Sequence, residues 1–159
     1  NKSYLEFIPE QIIPYKNSRF YQKTILDIDD SSTVVYSETI VPGRIAMGEM
    51  FDFDVCYLKT EGTLNQKIQF RDSSLLMPKS QKIQSLAMFD DKTILTSVYV
   101  LTKKHVTKIN DLVNEIFSNI QGISGGSSIL PNDSGVSIRI LGNSSEDQKI
   151  TIYQILKIA

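Results

Sequence analysis

The chain has little of what builds covalent or metal-based sites. Its 159 residues include one cysteine, Cys56, and one histidine, His105. A lone cysteine excludes an internal disulfide framework and points to a reducing, cytoplasmic setting. One His and one Cys cannot form the cage of three or four ligands that holds a transition metal, so any metal binding within one chain falls to carboxylates. His105 lies in Thr102-Lys103-Lys104-His105, the polar end of a strand, with no motif supplying a nucleophile or base, and reads as a surface residue. An excess of either charge is also missing: 17 Lys and Arg stand against 18 Asp and Glu, a net charge of −1. That balance excludes the cationic surface a nucleic acid demands and gives no polybasic handle for a membrane. No apolar run approaches the roughly 20 residues of a membrane span. Asn1-Lys2-Ser3-Tyr4 is neither a signal peptide nor an initiator methionine, which fits a processed product, an excised piece or the ordered part of something longer.

What is present is ordinary globular material, 41% hydrophobic and 22% charged, of a length that suits one domain. The first hundred residues read as successive strands. Phe51, Phe53, Val55 and Tyr57 alternate with polar residues, predicting a strand over 50–57. Leu64, Ile68 and Phe70 alternate in the same way, and Glu61-Gly62 between these runs predicts a hairpin turn. Thr33 to Val41 and Thr93 to Leu101 are rich in β-branched residues. After Thr107 the period changes. Ile109, Leu112, Val113, Ile116, Phe117 and Ile120 form one helical stripe, with Gly122 as its stop. Gly125-Gly126-Ser127-Ser128 lacks the lysine and spacing of a phosphate loop and reads as a plain loop. A short strand pair around 129–130 and 136–141 follows. A second helix starts at Ser144 or Ser145, with Asp147 or Gln148 completing a capping box, and runs through Ile152, Ile155, Leu156 and Ile158. The fold class is mainly β with two helices in the C-terminal third.

The informative stretch is Tyr36 to Arg44. Glu38 shares a strand face with Val34, Tyr36 and Ile40, and a carboxylate on an apolar face is costly unless paired or hydrogen-bonded. Either it points into a polar channel or groove, or it pairs with a base such as Arg44 or Arg71. Gly43 and Gly48 bracket a loop between two strands, and loops held by a sheet are frequent contact sites. Asp72 ends the next strand, placed to cap or pair locally. Glu38, Glu49 and Asp72 together would mimic the paired carboxylates of a hydrolase, which need a separation of about 5–10 Å across a cleft.

These residues resemble a known family. Leu5-Glu6-Phe7-Ile8-Pro9, running on to Pro14-Tyr15, is similar to one of its segments. Ser37-Glu38-Thr39-Ile40-Val41-Pro42-Gly43-Arg44 through Gly48-Glu49-Met50-Phe51 is similar to its most specific signature. Phe70-Arg71-Asp72 to Pro78 and Gly135 to Gly142 resemble two more segments, in order. The family is the urease accessory protein UreD, called UreH in some bacteria. Its members are usually longer, so the resemblance implies that 1–159 is a single UreD-like domain that is N-terminally incomplete.

The resemblance further implies layered, helically wound β-sheets and a non-catalytic role in urease maturation. The implied partners are a UreF-like protein, a UreG-like GTPase bound through it, and apo-urease, with a homodimeric assembly in that complex. Nickel passes transiently, with no tightly bound cofactor. Glu38 leads the channel-lining carboxylates, with Asp72 and Glu49 behind it. Ser37, Pro42, Gly43, Arg44, Gly48 and Arg71 form the motif loop and its surroundings, where Arg44 orients a carboxylate or holds the loop. Ile152, Ile155 and Leu156 on the last helix are the partner-docking candidates. A carboxylate-dependent hydrolase using Glu38 and Asp72, or a β-rich oligomerisation module, are the alternatives.

Overall fold

A computed structural model describes residues 3–159, and among these described residues lie eight strands and two α-helices. Strands β1 (Tyr4–Phe7), β3 (Thr33–Ile40), β6 (Ile94–Leu101), β8 (Gly135–Gly142) and β7 (Ser124–Ile129) form one sheet, in the order β1-β3-β6-β8-β7. Strands β2 (Arg19–Ile28), β4 (Val55–Leu64) and β5 (Lys67–Leu76) form a second, in the order β2-β4-β5. The chain alternates between the sheets at first. β1 pairs parallel with β3, and β2 pairs parallel with β4, so residues 4–64 make two turns of a wound β-structure. The later pairings within both sheets are antiparallel.

Period-2 alternation sorts the larger sheet into two buried faces. Val35, Val98, Val100, Ile138 and Ile140 point one way and pack under α1 (Val106–Asn119) and α2 (Ser145–Leu156), against Ile109, Val113, Ile152 and Ile155. Tyr36, Glu38, Ser97, Tyr99 and Arg139 point the other way, towards the three-stranded sheet. The result is three layers: helices, five-stranded sheet, three-stranded sheet. Among the described residues no helix is long and apolar enough to cross a membrane.

Both predicted helices form. Ser144 caps α2 by accepting from the Asp147 backbone N–H, as the capping pattern predicts. α2 ends at Leu156, before Ile158. Gln148 fixes it to the sheet from the buried side, donating to the Ile94 carbonyl at 3.0 Å and bonding the Thr96 hydroxyl. Replacing Gln148 by Leu strands those sheet groups, and we expect the melting temperature to fall in thermal denaturation, corresponding to about 1–2 kcal/mol. A melt matching the parent would show that packing alone holds α2.

Four local expectations are overturned. Glu61-Gly62 is not a turn: both lie inside β4, and the turn falls at Asn65-Gln66, each with positive φ. Gly62 is needed because the Phe70 ring lies over it, where a Cβ would stand. The strand expected over 50–57 begins only at Val55. Phe51 instead takes a left-handed φ of 55°, and Phe51 and Phe53 fold into an aromatic cluster with Phe89. The Gly/Ser stretch at 125–128 is not a loop but most of edge strand β7. Its glycines let α1 approach, since a Cβ on Gly125 would collide with the Phe117 ring. Finally, Ile152 and Ile155 are 4% and 0% exposed, so they belong to the core rather than to a docking face.

Candidate functional site

Between the two sheets, two apolar clusters are separated by a polar seam. On one side lie Ile28, Leu64, Phe70 and Leu101, on the other Ile40, Cys56, Leu58 and Leu76. The seam follows from strand register: Glu38 pairs with Ser97, Ser97 with Arg139, and in the opposing sheet Thr60 pairs with Asp72. Paired positions share a face, so these side chains converge.

Glu38 is 4% exposed. Its Oε2 accepts from the Tyr36 hydroxyl at 3.2 Å and from the Thr60 hydroxyl at 3.4 Å. The Tyr36 hydroxyl also meets Gln22 Nε2 and Thr24 Oγ1, both at 3.2 Å. Burial pushes the Glu38 carboxyl above the usual carboxylate range, opposed by the Tyr36 hydrogen bond and by the field of Arg139. Burial likewise raises Tyr36 to about 12 and the neighbouring Cys56 thiol to about 11, the latter with help from Glu38. Burial thus favours the protonated thiol at Cys56.

Asp72 does not pair locally. It forms an ion pair with Arg139 and accepts from the Tyr99 hydroxyl at 2.9 Å. The Arg139 guanidinium also lies over the Tyr99 ring, 5.6 Å from its centre. Tyr99 stacks between Tyr36 and Phe70, with centroid separations of 6.2 and 5.5 Å. Two carboxyls, one guanidinium and two phenols thus share one seam, buried at Glu38, Tyr36 and Tyr99 and partly open at Asp72 and Arg139.

Glu49 is elsewhere. In the loop after β3, Arg44 donates through two nitrogens to the two Glu49 oxygens, and Glu49 also accepts from the Lys16 backbone N–H at 3.2 Å. This fork holds Glu49 below the usual carboxylate range and closes the loop, with Arg44 stacked on the Tyr15 ring at 4.2 Å. Gly43 sits at φ 137°, where a Cβ would press on the Glu49 and Pro14 carbonyls. Pro42 is buried beside it, Gly48 takes φ 73°, and Ser37 lies on the opposite face of β3 from Glu38. Neither arginine expected beside Glu38 is there: Arg44 serves Glu49, and Arg71 joins Lys23 and Lys59 around Glu61 on the outer face of the smaller sheet. The cation near Glu38 is Arg139, which sequence reasoning passed over. No local signal marked it: Arg139 alternates with the apolar Ile138 and Ile140, the pattern of an outward-facing residue, and only the second sheet makes its face internal. His105 is exposed, with φ 51° at the start of α1.

Among the described residues no three His, Cys, Asp or Glu side chains gather as a metal-binding group. The chemistry of the seam is that of oxygen donors: a buried carboxyl whose pKa is raised by burial, a second carboxylate paired with a guanidinium, and hydroxyls between them.

Comparison with known proteins places these residues in context. A family model described as "UreD urease accessory protein" matches residues 1–159. The chain is similar to the "Urease accessory protein UreD" of Cenarchaeum symbiosum, 34% identical over 145 residues that cover 90% of this chain and 51% of that protein. It is 32% identical to the "Urease accessory protein UreD 2" of Brucella canis, over 99% of this chain and 53% of the relative. The Yersinia enterocolitica "Urease accessory protein UreD" is 34% identical over 98% of this chain and 51% of its own length. The chain spans about half the length of these curated relatives.

Proposed function

The chain belongs to the UreD family of urease accessory proteins, and from that premise we propose that it is part of a non-catalytic urease maturation factor. In this reading it is a scaffold that bridges apo-urease and a UreF-like protein carrying a UreG-like GTPase, and it assists delivery of nickel to the urease active site. Family membership supports the general role. The polar seam around Glu38 and Asp72 is the observation that carries the nickel part. A conduit must release its ion, and hard oxygen donors with no tight cage suit transit better than His and Cys ligands do. Glu49, fully occupied by Arg44, serves the loop instead. The hydrolase alternative needs a cleft between its carboxyls, which the burial of Glu38 and the engagement of Asp72 with Arg139 disfavour.

The test is urease activation in cells whose only copy of the gene carries Glu38→Gln. The amide keeps shape and hydrogen bonding but binds cations poorly. We expect most urease activation to be lost while the protein still co-purifies with the UreF-like partner and melts no lower than the parent. Full activation by the variant would remove Glu38 from the nickel route. Failure of the parent protein to bind either a UreF-like protein or apo-urease would sink the scaffold reading as a whole.

A further inference from the structure

Among the described residues no layer covers the outer face of the smaller sheet. Gln22 and Thr24 on β2 and Thr60 on β4 point to the larger sheet. Alternation therefore turns Tyr21, Lys23 and Ile25 outward, beside Tyr57, Lys59 and Glu61 of β4. β5 completes the rows, with Leu75 beside Tyr57, Ser73 beside Lys59 and Arg71 beside Glu61. The solvated face of a sheet is ordinarily polar. Here Tyr21, Ile25 and Leu75 are 58%, 59% and 41% exposed, and the Tyr21 and Tyr57 rings stand together with centres 5.4 Å apart.

The charges on this face are unbalanced. Arg19, Lys23, Lys59 and Arg71 face outward against two carboxylates, Glu61 and Asp27, in a chain whose net charge is −1. Asp27 is engaged by the Thr63 hydroxyl. Glu61 lies beneath the cations and gathers three of them: Lys23 Nζ at 3.0 Å, with Lys59 Nζ and Arg71 Nε each at 3.2 Å. One carboxylate cannot neutralise three cations. Arg71 meets it through Nε alone, and its two terminal nitrogens have no partner among the described residues. A guanidinium held by one edge presents the other as a fork for a second carboxylate.

Exposed tyrosine, arginine and branched apolar side chains on one rigid sheet have the composition of the core of a protein interface. A phosphate backbone fits less well, because Glu61 and Asp27 sit among the cations and Ile25 and Leu75 offer it nothing. We propose that the outer face of β2, β4 and β5 docks a partner protein with an acidic contact patch. Its carboxylates meet the Arg71 fork, Lys23 and Lys59, and an apolar group meets Tyr21, Tyr57 and Leu75. This rests on the scaffold reading and assigns that scaffold one of its contact surfaces, which the buried Ile152 and Ile155 do not supply.

The experiment uses the full-length gene product, free and in the complex it forms with the UreF-like protein and apo-urease. Acetylation by acetic anhydride is followed by peptide mass at Lys23, Lys59 and Lys149. Lys149 is the reference, because it lies on α2 in the opposite layer with its side chain 53% exposed. The expected result is that Lys23 and Lys59 react in the free protein at a rate independent of its concentration. In the complex they should react about tenfold more slowly, as the centre of a docked face excludes water, while Lys149 is unchanged. Arg71→Gln leaves Glu61 paired with both lysines, so it should melt with the parent yet bind the partner about tenfold more weakly. Lysines that react equally in the free protein and in the complex would overturn the docking face and leave the scaffold reading intact. Lysines already blocked in the free protein would assign the face to the rest of the gene product, or to a second copy if dilution unblocks them, and overturn it equally. Protection by duplex DNA or RNA at the same salt would give the face to a nucleic acid and overturn it too. A parent protein that forms a complex with neither partner would sink the scaffold reading and this inference with it.

Discussion

Gly135→Ala is expected to lower the melting temperature by about 8–16 °C, the equivalent of about 4 kcal/mol in a domain of this size. Gly135 opens β8 at φ 144°, a conformation that L side chains rarely adopt. It pairs with Leu101 on β6, and its carbonyl accepts from the Leu130 N–H at 2.9 Å. A Cβ there would sit far inside van der Waals contact distance of the Val100 carbonyl oxygen, and 2.9 Å from Leu101 Cα. These atoms are backbone of β6, which is held between β3 and β8, so no side-chain rotation relieves the clash. Backbone strain costs about 1–3 kcal/mol and overpacking about 1–3 more. Gly122→Asn is the control. Gly122 also has positive φ, at 79°, but a Cβ there meets nothing within 4 Å, and Asn tolerates the left-handed region. Calorimetry or circular dichroism should show the control melting close to the parent. Equal melting of Gly135→Ala and the parent would mean that β8 can shift its register with β6.

The contrast between these two glycines marks what single-sequence reasoning reaches. Gly122 was readable as lying past the end of a helix, although α1 itself stops at Asn119 with Ile120 already extended. Gly135, Gly62 and Gly125 are fixed by Val100, Phe70 and Phe117, contacts that no local pattern announces. Hence two of them misled: Gly62 read as a turn and Gly125 as a loop, although both lie within strands. Periodicity located both helices and the inward face of β3. It could not reveal that β1 and β2 pair in parallel with strands one turn on, because parallel pairing leaves no short-range mark in the chain. The site divided in the same way. Glu38 declared itself as a carboxylate among apolar neighbours. Asp72 seemed a local partner but is held by Arg139, 67 residues away. The Arg44–Glu49 fork, five residues apart, was within reach of the motif and does hold its loop.

Arg139→Met should cost about 2–3 kcal/mol, the range for losing hydrogen bonds to a charged group, and the cost should depend on pH. The side chains of Arg139 and Asp72 are 36% and 26% exposed, so the loss falls short of that for a fully buried pair. Met keeps the aliphatic contact with Tyr99 but leaves Asp72 with the Tyr99 hydroxyl as its hydrogen-bond donor in the seam. Glu38 supplies the pH dependence. It faces Tyr36, Thr60, Cys56, Asp72 and Arg139, of which Arg139 is the cation. Burial already raises its folded pKa above the unfolded value. A carboxyl raised on folding contributes stability that is complete below the unfolded pKa and is lost as pH rises through the folded one. Removing Arg139 takes away an opposing field and raises that folded pKa further. The deficit of Arg139→Met relative to the parent should therefore be constant at pH below the parent's raised folded pKa of Glu38, grow as pH rises from there to the variant's still higher folded pKa, and level off above that. Denaturant titrations across that range measure it. Placing Glu38→Gln in the same chain removes the ionising group, so the double variant should be more stable at neutral pH than Arg139→Met alone, with a coupling of about 1 kcal/mol in the cycle. Strictly additive costs would separate Glu38 from the Asp72–Arg139 pair, and the seam would then be two independent polar contacts with no shared field to act on a passing cation.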